Sequence, residues 1–159
     1  MCSSDLISQL KQFNLAYDIL IFPKQLPAAI ELVKRFPDQR FVLDHLAKPC
    51  MTTRVLSPWQ EQIRELAKAP NIWCKVSGLV TEAKHGQWTK ADFRPHLDVV
   101  FAAFAEDRLL FGSDWPVCLL SGSYAQVLEI VEHYLSDFSE KARATILGRN
   151  AETFYRIRS

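Results

Sequence analysis

The chain has 159 residues, of which 48% are hydrophobic, and its 19 Lys and Arg against 18 Asp and Glu leave a formal net charge of +1. This length suits one globular domain, and we expect a single domain over residues 1–159. Because the charge is balanced, without a basic run or an acidic tail, the sequence indicates a small-molecule partner rather than nucleic acid or a membrane. No apolar segment approaches the roughly 20 residues that cross a bilayer, and residues 1–5 lack a signal-peptide pattern, so we expect a cytoplasmic protein.

The four cysteines are widely spaced along the chain, at Cys2, Cys50, Cys74 and Cys118. There is no Cys-x-x-Cys pair, and this spacing is typical of reduced thiols rather than of a zinc knuckle or a disulfide framework. Because free cysteine is among the most frequently buried residue types, we expect Cys74 and Cys118 to lie in or near the core.

Apolar spacing and helix breakers divide the chain into alternating strands and helices. The predicted elements are, in order, a helix from Ser3 or Ser4 to about 13, a strand at 17–22, a helix at 26–36, a strand at 40–45, a helix at 57–69, a strand at 72–77, a helix around 97–104, a strand from 109, and helices at 124–135, from Ser139 to Gly148 and from Asn150. In the first helix we expect Leu6, Leu10 and Phe13 on one buried stripe.

Strand and helix alternate four times at a spacing of roughly 30 residues, which is typical of βαβ units. The alternation predicts a parallel sheet with right-handed crossovers. Two architectures fit it: a small doubly wound sheet, or half of a (β/α)8 barrel, whose usual length is about 250 residues. The chain length alone does not decide between them.

The stretch at 109–117, Leu-Leu-Phe-Gly-Ser-Asp-Trp-Pro-Val, is predicted to be a buried parallel strand that ends in a carboxylate. Pro116 blocks further regular structure, so Asp114 stands at the carboxyl end of the strand, where α/β enzymes place their chemistry. Alternation puts Asp114 on the face of Leu110 and Gly112, and the glycine leaves room for a ligand. Asp114 is therefore the first candidate for a catalytic group.

His45 ends the second predicted strand as Asp114 ends the fourth. Phe41, Leu43 and His45 fall on one face by alternation, so we expect two titratable side chains to converge on one pocket from two strand ends. Asp44 points to the opposite face, where it is expected to bond to a neighbouring loop or helix.

Four further residues are candidates for substrate binding: Lys48, Lys75, Glu82 and Trp115. Lys48 follows His45 in a loop and is placed to hold a carboxylate or a hydroxyl, with a solvated loop lysine as the alternative. Lys75 lies within an apolar strand and needs a partner, either a ligand or a structural counter-ion. Glu82 lies in the loop after that strand, which either closes over a substrate or remains a surface loop.

Several motifs are missing from the sequence. It contains no G-x-G-x-x-G, G-x-x-x-x-G-K-[ST], G-x-S-x-G or H-E-x-x-H, so dinucleotide, P-loop, α/β-hydrolase and zincin sites lack their residues. His45 and Asp114 are each able to ligate a metal, yet two side chains fall short of the three or more protein ligands of a catalytic zinc. His96 and His133 fall within predicted helices, and we expect both at the surface.

Three blocks of sequence carry a family resemblance: FVLDHLAKP at 41–49, NIWCKVSGL at 71–79 and LFGSDWPV at 110–117. In this order they resemble the amidohydrolase-related family, and more narrowly its branch of sugar lactonases and pyrone-dicarboxylate lactonases. Because three blocks match in order, the resemblance is more specific than a single motif. It covers nearly the whole chain.

The resemblance implies that the chain holds strands five to eight of a (β/α)8 barrel, with the Gly-Ser-Asp strand as the eighth. The expected fold is thus α/β, the C-terminal half of a TIM-type barrel. Members of the family open with His-x-His on the first strand, and no such motif occurs among His45, His85, His96 and His133. We therefore expect a fragment that lacks half of its active site.

The implied reaction is attack of water on a sugar-acid lactone. Asp114 matches the family's general base, which takes a proton from the attacking water. His45 matches the strand-six histidine that holds and polarises the substrate carbonyl as the oxyanion forms. Some members of the superfamily use a divalent metal and others in this branch do not; with the first-strand ligands absent, no metal is assigned here.

Two other hypotheses remain. A catalytically inactive half-barrel could serve as a binding or self-associating module, because it leaves two sheet edges unpaired and an apolar face uncovered. On this hypothesis we expect self-association or pairing with a missing N-terminal half. A complete small doubly wound domain would instead bind its ligand at a switch point, which requires the strand order to reverse.

Overall fold

The structure, a computed structural model, describes residues 3–53 and 55–157, with side chains from residue 5 onward. The strands are β1 (Tyr17–Ile19), β2 (Phe41–Leu43), β3 (Ile72–Val76) and β4 (Leu109–Phe111); the helices are α1 (Ser3–Leu10), α2 (Leu26–Arg35), α3 (Trp59–Leu66), α4 (Lys90–Phe104), α5 (Tyr124–Tyr134), α6 (Glu140–Ala144) and α7 (Asn150–Tyr155). Each predicted strand is present but ends earlier than expected. Within the described ranges, no helix is both long and apolar enough to cross a membrane.

The four strands form one parallel sheet in the order β1-β2-β3-β4. Tyr17 pairs with Phe41, Phe41 with Ile72, and Cys74 with Leu109. Because neighbouring strands follow one another in the chain, the order does not reverse, and the doubly wound alternative is wrong. The predicted half-barrel of α/β class is confirmed.

The main core lies between the helices and one face of the sheet. From the strands it contains Phe41, Leu43, Ile72, Cys74 and Leu109, all 0% exposed. The helices contribute residues such as Val33 of α2, Ile63 of α3, Val100 of α4 and Val131 of α5. Cys74 and Cys118 are both buried, as predicted, and burial raises the pKa of the Cys74 thiol. Cys2 lies outside the described residues.

The opposite, concave face of the sheet carries Asp18, Val42, Trp73, Lys75 and Leu110. Helix α7 crosses this face and contacts a residue of every strand. Phe154 packs against Val42 and Leu110, with its ring centroid 5.4 Å from that of Trp73. The Tyr155 hydroxyl donates to Asp18 Oδ2 at 2.8 Å, and the Asn150 amide donates to the Leu109 carbonyl at 2.7 Å. Side chains of this short helix thus reach both edge strands and the two strands between them.

The first helix departs from its predicted stripe. Ile7 is 4% exposed, whereas Leu6 and Phe13 are 60% and 68% exposed. Helix α1 ends at Leu10, and Lys11–Phe13 continue as a 3₁₀ turn. The predicted burial of both side chains is wrong: Leu6 lies on the exposed face of α1, and the 3₁₀ turn, with three residues per turn, rotates Phe13 away from the α-helical stripe. The capping hydroxyl of Ser3 or Ser4 lies outside the described side chains.

The C-terminal helices follow the prediction only at their start. Ser139 caps α6, and its hydroxyl oxygen accepts a hydrogen bond from the Ala142 N–H at 3.2 Å. Gly148 does not end the helix, because Thr145–Arg149 form a π-helical turn that leads directly into α7. Helix α7 begins at Asn150, as predicted, but the Asn150 side chain does not cap it. Its amide faces the sheet and donates to the carbonyls of Glu106 and Leu109.

Most of the exposed large apolar side chains border the two edge strands. Around β1 they are Phe13, Leu15, Leu20 and Phe22, which we call the β1 rim; after β4 they are Trp115, Val117, Leu119, Leu120 and Tyr124, which we call the β4 rim. Both edge strands also present backbone groups that no other described strand pairs. The apolar rims and the unpaired edges therefore occur together at both ends of the sheet.

Candidate active site

His45 and Asp114 come together at the carboxyl ends of β2 and β4. His45 Nε2 lies 3.6 Å from Asp114 Oδ1, and the two side chains are only 16% and 13% exposed. This distance is too long for a direct hydrogen bond. It leaves room for an oxygen atom of water or substrate to lie about 2.8 Å from both groups.

The two side chains meet for a different reason from the one predicted. Phe41 and Leu43 face the helices, whereas Leu110 faces the concave side, so strict alternation would separate His45 from Asp114. Strand β2 ends at Leu43, and His45 itself has φ 51°. This left-handed turn brings the imidazole back over the end of the strand. The alternation argument for His45 is therefore wrong, although its convergence with Asp114 is observed.

Ser77 holds the other side of the His45 ring. It follows β3 directly, is 1% exposed, and its Oγ lies 2.7 Å from His45 Nδ1. Gly78 has φ +63°, and a Cβ placed there would lie 2.7 Å from the Cβ of His45. Sequence reasoning missed both residues. The sequence does contain a signal for them. Ser77 and Gly78 stand at the carboxyl end of β3, as His45 does for β2 and Asp114 for β4.

The charge state of His45 is set by competing effects. Burial, the largest of them, lowers its pKa below the usual 6.5, and it outweighs the raising influence of Asp114 and Asp44. The ammonium groups of Lys48 and Lys75 add to the lowering. His45 is therefore neutral at neutral pH, with one ring nitrogen protonated and the other able to accept a hydrogen bond.

Lys75 is already engaged by carboxylates of the protein. Its Nζ lies 2.9 Å from Asp18 Oδ2 and 2.5 Å from Asp44 Oδ1. Burial opposes the charge of Lys75, but its contacts with Asp44, Asp18 and Tyr155 outweigh it and raise the pKa. The predicted partner of Asp44, a loop or helix, is wrong, since the partner lies on the neighbouring strand. Substrate binding by Lys75 stays a prediction.

Lys48 and Glu82, predicted separately as substrate contacts, form an ion pair with each other. Lys48 Nζ lies 2.9 Å from Glu82 Oε1, and the side chains are 26% and 20% exposed. The ammonium also lies 5.5 Å from the centre of the Phe22 ring. The pair joins the loop after β2 to the loop after β3 beside His45, whose carbonyl accepts the Lys48 backbone N–H at 2.7 Å. A role of the pair in substrate binding stays a prediction.

Trp115 follows Asp114 directly and is 64% exposed. Its backbone N–H donates to Ser113 Oγ at 3.2 Å, which fixes the main chain after the candidate base. The indole belongs to the β4 rim, where it is accessible to a substrate or to a protein partner. Its predicted contact with substrate is untested.

The two helical histidines have different environments. His133 is exposed, as predicted. His96 is 2% exposed and its ring centroid lies 5.2 Å from that of Trp59, so its predicted surface position is wrong. His96 shares the buried stripe of α4 with Phe93 and Val100, at the three- to four-residue spacing of one helix face. Burial also lowers the pKa of His96.

The part of the chain that the structure describes contains no group of three or more His, Cys, Asp or Glu side chains placed to hold a metal ion. His45 Nε2 and Asp114 Oδ1 are two donors that converge, and a catalytic zinc normally has at least three protein ligands. These residues do not make a complete site for the divalent metal that some members of the superfamily use.

Known proteins resemble this chain in sequence and architecture. L-fucono-1,5-lactonase of Burkholderia multivorans is 37% identical over 161 residues, which cover 95% of this chain and 54% of the relative. L-fucono-1,5-lactonase of Burkholderia ambifaria is 40% identical over 149 residues, covering 91% and 51%. The crystal structure of a zinc-bound amidohydrolase from Burkholderia multivorans superposes with a TM-score of 0.91 at 36% identity, covering 98% of this chain and 57% of that one.

The chain spans about half the length of the curated relatives it matches. The family model described as amidohydrolase matches residues 6–157, nearly the whole of it. The three sequence blocks, the half-barrel and this match agree with one another, and the predicted resemblance is confirmed. The chain belongs to the amidohydrolase family.

Proposed function

We propose that this chain carries the general base and the carbonyl-polarising histidine of an enzyme that hydrolyses a sugar-acid lactone. The observation that carries the proposal is the 3.6 Å approach of His45 Nε2 to Asp114 Oδ1 at the carboxyl ends of two strands. In barrels of this class that end of the sheet holds the active site. The names of the relatives, L-fucono-1,5-lactonases, support a lactone as the substrate class.

In the proposed reaction the two side chains act side by side, Asp114 on the attacking water and His45 on the oxygen of the attacked carbonyl. Asp114 takes a proton from water, and the resulting hydroxide attacks the lactone carbonyl carbon. The Nε2–H of neutral His45 donates to the carbonyl oxygen as it becomes an oxyanion. When the ring C–O bond breaks, protonated Asp114 returns its proton to the departing alkoxide. The product is the open hydroxy acid, and Asp114 is again ionised.

The proposed substrate contacts come from Lys48, Glu82, Lys75 and Trp115. A sugar-acid lactone carries hydroxyls that both donate and accept hydrogen bonds. The Lys48 and Glu82 pair offers an ammonium donor and a carboxylate acceptor 2.9 Å apart, which suits two adjacent hydroxyls. Trp115 adds an exposed ring that is able to cover the apolar face of a sugar ring.

The site is proposed to be completed by the other four strands of a barrel. Two observations support this: the unpaired edges of β1 and β4, and the apolar rims beside them. The same features favour a second candidate function, in which the half-barrel is inactive and acts as a self-associating or partner-binding module. The two candidates differ in whether any assembled form hydrolyses a lactone.

The test is an assay of lactone opening by proton release, with L-fucono-1,5-lactone and other sugar-acid 1,4- and 1,5-lactones as substrates. We would assay the chain alone and the chain fused behind the first half of the Burkholderia multivorans relative, with the intact relative as positive control. The proposal expects turnover by the fused chain and its loss on Asp114→Asn. A fused chain that folds as a monomeric barrel but opens none of these lactones would favour the inactive module.

A further inference from the structure

The environment of Ser77 suits one specific task. Ser77 is 1% exposed, and its Oγ lies 2.7 Å from His45 Nδ1, the nitrogen that points away from Asp114. Strand β3, which Ser77 follows, lies between β2 and β4 in the sheet. The serine therefore reaches the imidazole from the middle strand through Nδ1, and Nε2 is the nitrogen near Asp114.

Neutral imidazole has two tautomers, and the surroundings of His45 favour one of them. A lone pair on Nε2 would face the Asp114 carboxylate at 3.6 Å, which is repulsive, whereas an Nε2–H at that position is attracted to it. With the proton on Nε2, Nδ1 becomes an acceptor, and the Ser77 hydroxyl is the donor within reach. Both contacts select the same tautomer.

We infer that Ser77 is a positioning residue whose hydroxyl donates to His45 Nδ1 and holds the imidazole in the tautomer protonated at Nε2. The inference rests on the proposed function, because that tautomer presents the N–H which the lactone carbonyl requires. The opposite tautomer would direct a lone pair at the developing oxyanion and oppose the reaction.

Two glycines make the close approach of Ser77 and His45 possible. A Cβ at Gly78 would lie 2.7 Å from the Cβ and 2.8 Å from the Cγ of His45. A Cβ at Gly112 would lie 3.1 Å from the Cβ of Ser77. Gly78 therefore leaves the space that the His45 side chain occupies, and Gly112 leaves space beside Ser77.

The test is the tautomer of His45, measured by ¹⁵N NMR of histidine side chains in the 159-residue chain. Solution spectra serve for a small species and magic-angle-spinning spectra for an assembled one, and His45→Gln assigns the signals. We expect Nε2 at the chemical shift of a protonated ring nitrogen and Nδ1 at that of an acceptor. A wild-type chain with His45 protonated at Nδ1 would overturn the inference without any variant.

Variants then test whether the Ser77 hydroxyl determines the tautomer of His45. Ser77→Ala removes the donor and, of the two contacts, leaves only Asp114 to favour the Nε2–H form, so the share of the Nδ1–H form should rise to a detectable level. Ser77→Thr keeps a hydroxyl and should preserve the Nε2–H form. Ser121→Ala is the matched control and should leave the tautomer unchanged, because Ser121 is also a buried serine, 9% exposed, and its hydroxyl contacts the Gly86 N–H at 3.4 Å rather than His45. An unchanged tautomer in a folded Ser77→Ala chain would contradict the inference.

Activity separates this inference from the proposed function. In a fused chain that opens lactones, Ser77→Ala should lower kcat about tenfold, which corresponds to about 1.4 kcal/mol, with little change in KM. If Ser77→Ala shifts the tautomer but no form of the protein opens a lactone, the positioning role stands and the proposed function fails. If lactones are opened and the tautomer is indifferent to Ser77→Ala, the function stands and the positioning role fails.

Discussion

The residues that carry the candidate chemistry sit on a strained backbone. His45, Leu46, Ala47 and Lys48 have φ of 51°, 55°, 61° and 52°, and none of them is glycine or asparagine. Each such residue costs about 1 kcal/mol or more, so the surrounding structure must hold the turn in place. Leu46 and Ala47 are 0% exposed, and the Trp59 indole N–H donates to the Leu46 carbonyl at 2.8 Å. The packing of Leu46 and Ala47 in the core thus holds the turn in place, and with it the His45 side chain.

The role of Asp114 leads to the first prediction. In a lactone-opening fused chain, Asp114→Asn should lower kcat by about 10²- to 10⁴-fold, the range expected for loss of a general base. The amide is nearly isosteric with the carboxylate, so the thermal midpoint should change little. Asp107→Asn, at an exposed aspartate, is the control and should leave both quantities unaltered. Turnover by Asp114→Asn within tenfold of the wild type would remove Asp114 from the mechanism.

Gly78 provides the second prediction, with a control of the same backbone type. Gly78 and Gly86 both have positive φ, +63° and +65°, so Ala at either position costs about 1 kcal/mol of backbone strain. At Gly86 no atom lies within 4 Å of the new Cβ, whereas at Gly78 the Cβ meets His45 at 2.7 Å. Gly78→Ala should therefore lower the urea midpoint further than Gly86→Ala and alone shift the His45 ring resonances. Equal effects of the two variants would contradict the tight contact.

The third prediction concerns pH. Because folding lowers the pKa of His45, mainly through burial, the unfolded chain binds more protons than the folded one below about pH 6.5. Stability should therefore fall as the pH drops below about 6.5, and level off once His45 is protonated in the folded chain too. Asp114, Asp44, Lys48 and Lys75 are the charged groups around it.

The measurement is the urea midpoint between about pH 5 and pH 8, in the wild type and in His45→Gln. The buried His96 acts in the same direction and remains in both proteins, so the difference between them reports His45. We expect a shallower pH dependence in His45→Gln. Parallel curves would mean that folding leaves the His45 pKa unchanged.

At the scale of elements, an ion-pair cluster joins the strands on the concave face. Lys75 of β3 bridges Asp18 of β1 and Asp44 at the end of β2, and the Tyr155 hydroxyl of α7 donates to the same Asp18. Lys75 and Asp44 are only 20% and 14% exposed. An unpaired carboxylate in such a place is costly, so the cluster specifies how β1, β2 and β3 align with α7.

The fourth prediction tests this cluster. Lys75→Met should lower the free energy of unfolding by about 2 kcal/mol or more, because it leaves Asp44 buried without its counter-ion. Lys11→Met breaks the pair with Asp38, whose side chains are 63% and 72% exposed, and should change stability by less than about 1 kcal/mol. Urea unfolding of both variants gives the comparison. A Lys75→Met chain as stable as the Lys11→Met chain would show that the cluster adds no stability.

The strand–helix alternation is predictable from sequence because apolar spacing reports which elements are buried, and all four strands lie where the spacing puts them. Details that depend on tertiary contacts are not predictable in this way. His96 is polar yet sits on the buried stripe of α4, and Asn150 uses its amide for the sheet instead of a cap. The identity of His45 and Asp114 as strand-end groups follows from sequence. The left-handed turn that brings them together and the contact of Ser77 with His45 depend on the folded backbone, so they could not be predicted from the sequence.

At the scale of the whole molecule, both ends of the sheet combine open backbone groups with apolar rims. Edge strands of this kind pair with other chains unless they are covered. The exposed apolar side chains of the two rims add a hydrophobic driving force to the same association. No other described strand pairs with either edge of the sheet, so both edges are open to association.

The fifth prediction is that the isolated chain self-associates in a concentration-dependent way. Sedimentation velocity should show species larger than the 18.2 kDa monomer. Leu20→Lys in the β1 rim and Leu119→Lys in the β4 rim should shift the distribution towards monomer. Leu6→Lys, at an exposed leucine of α1 outside both rims, should not. A wild-type chain that stays monomeric at high concentration would contradict the prediction.

Helix α7 has a consequence for how such an assembly forms. It touches all four strands, and beyond it the Arg156 guanidinium donates to Asn14 Oδ1 while the Arg40 guanidinium reaches the Phe154 carbonyl. These contacts hold the four strands in their relative positions from the concave face of the sheet. A partner would meet two edges already held at a fixed separation and angle. Assembly would then resemble the docking of preformed surfaces, with its rate governed by encounter and orientation rather than by refolding.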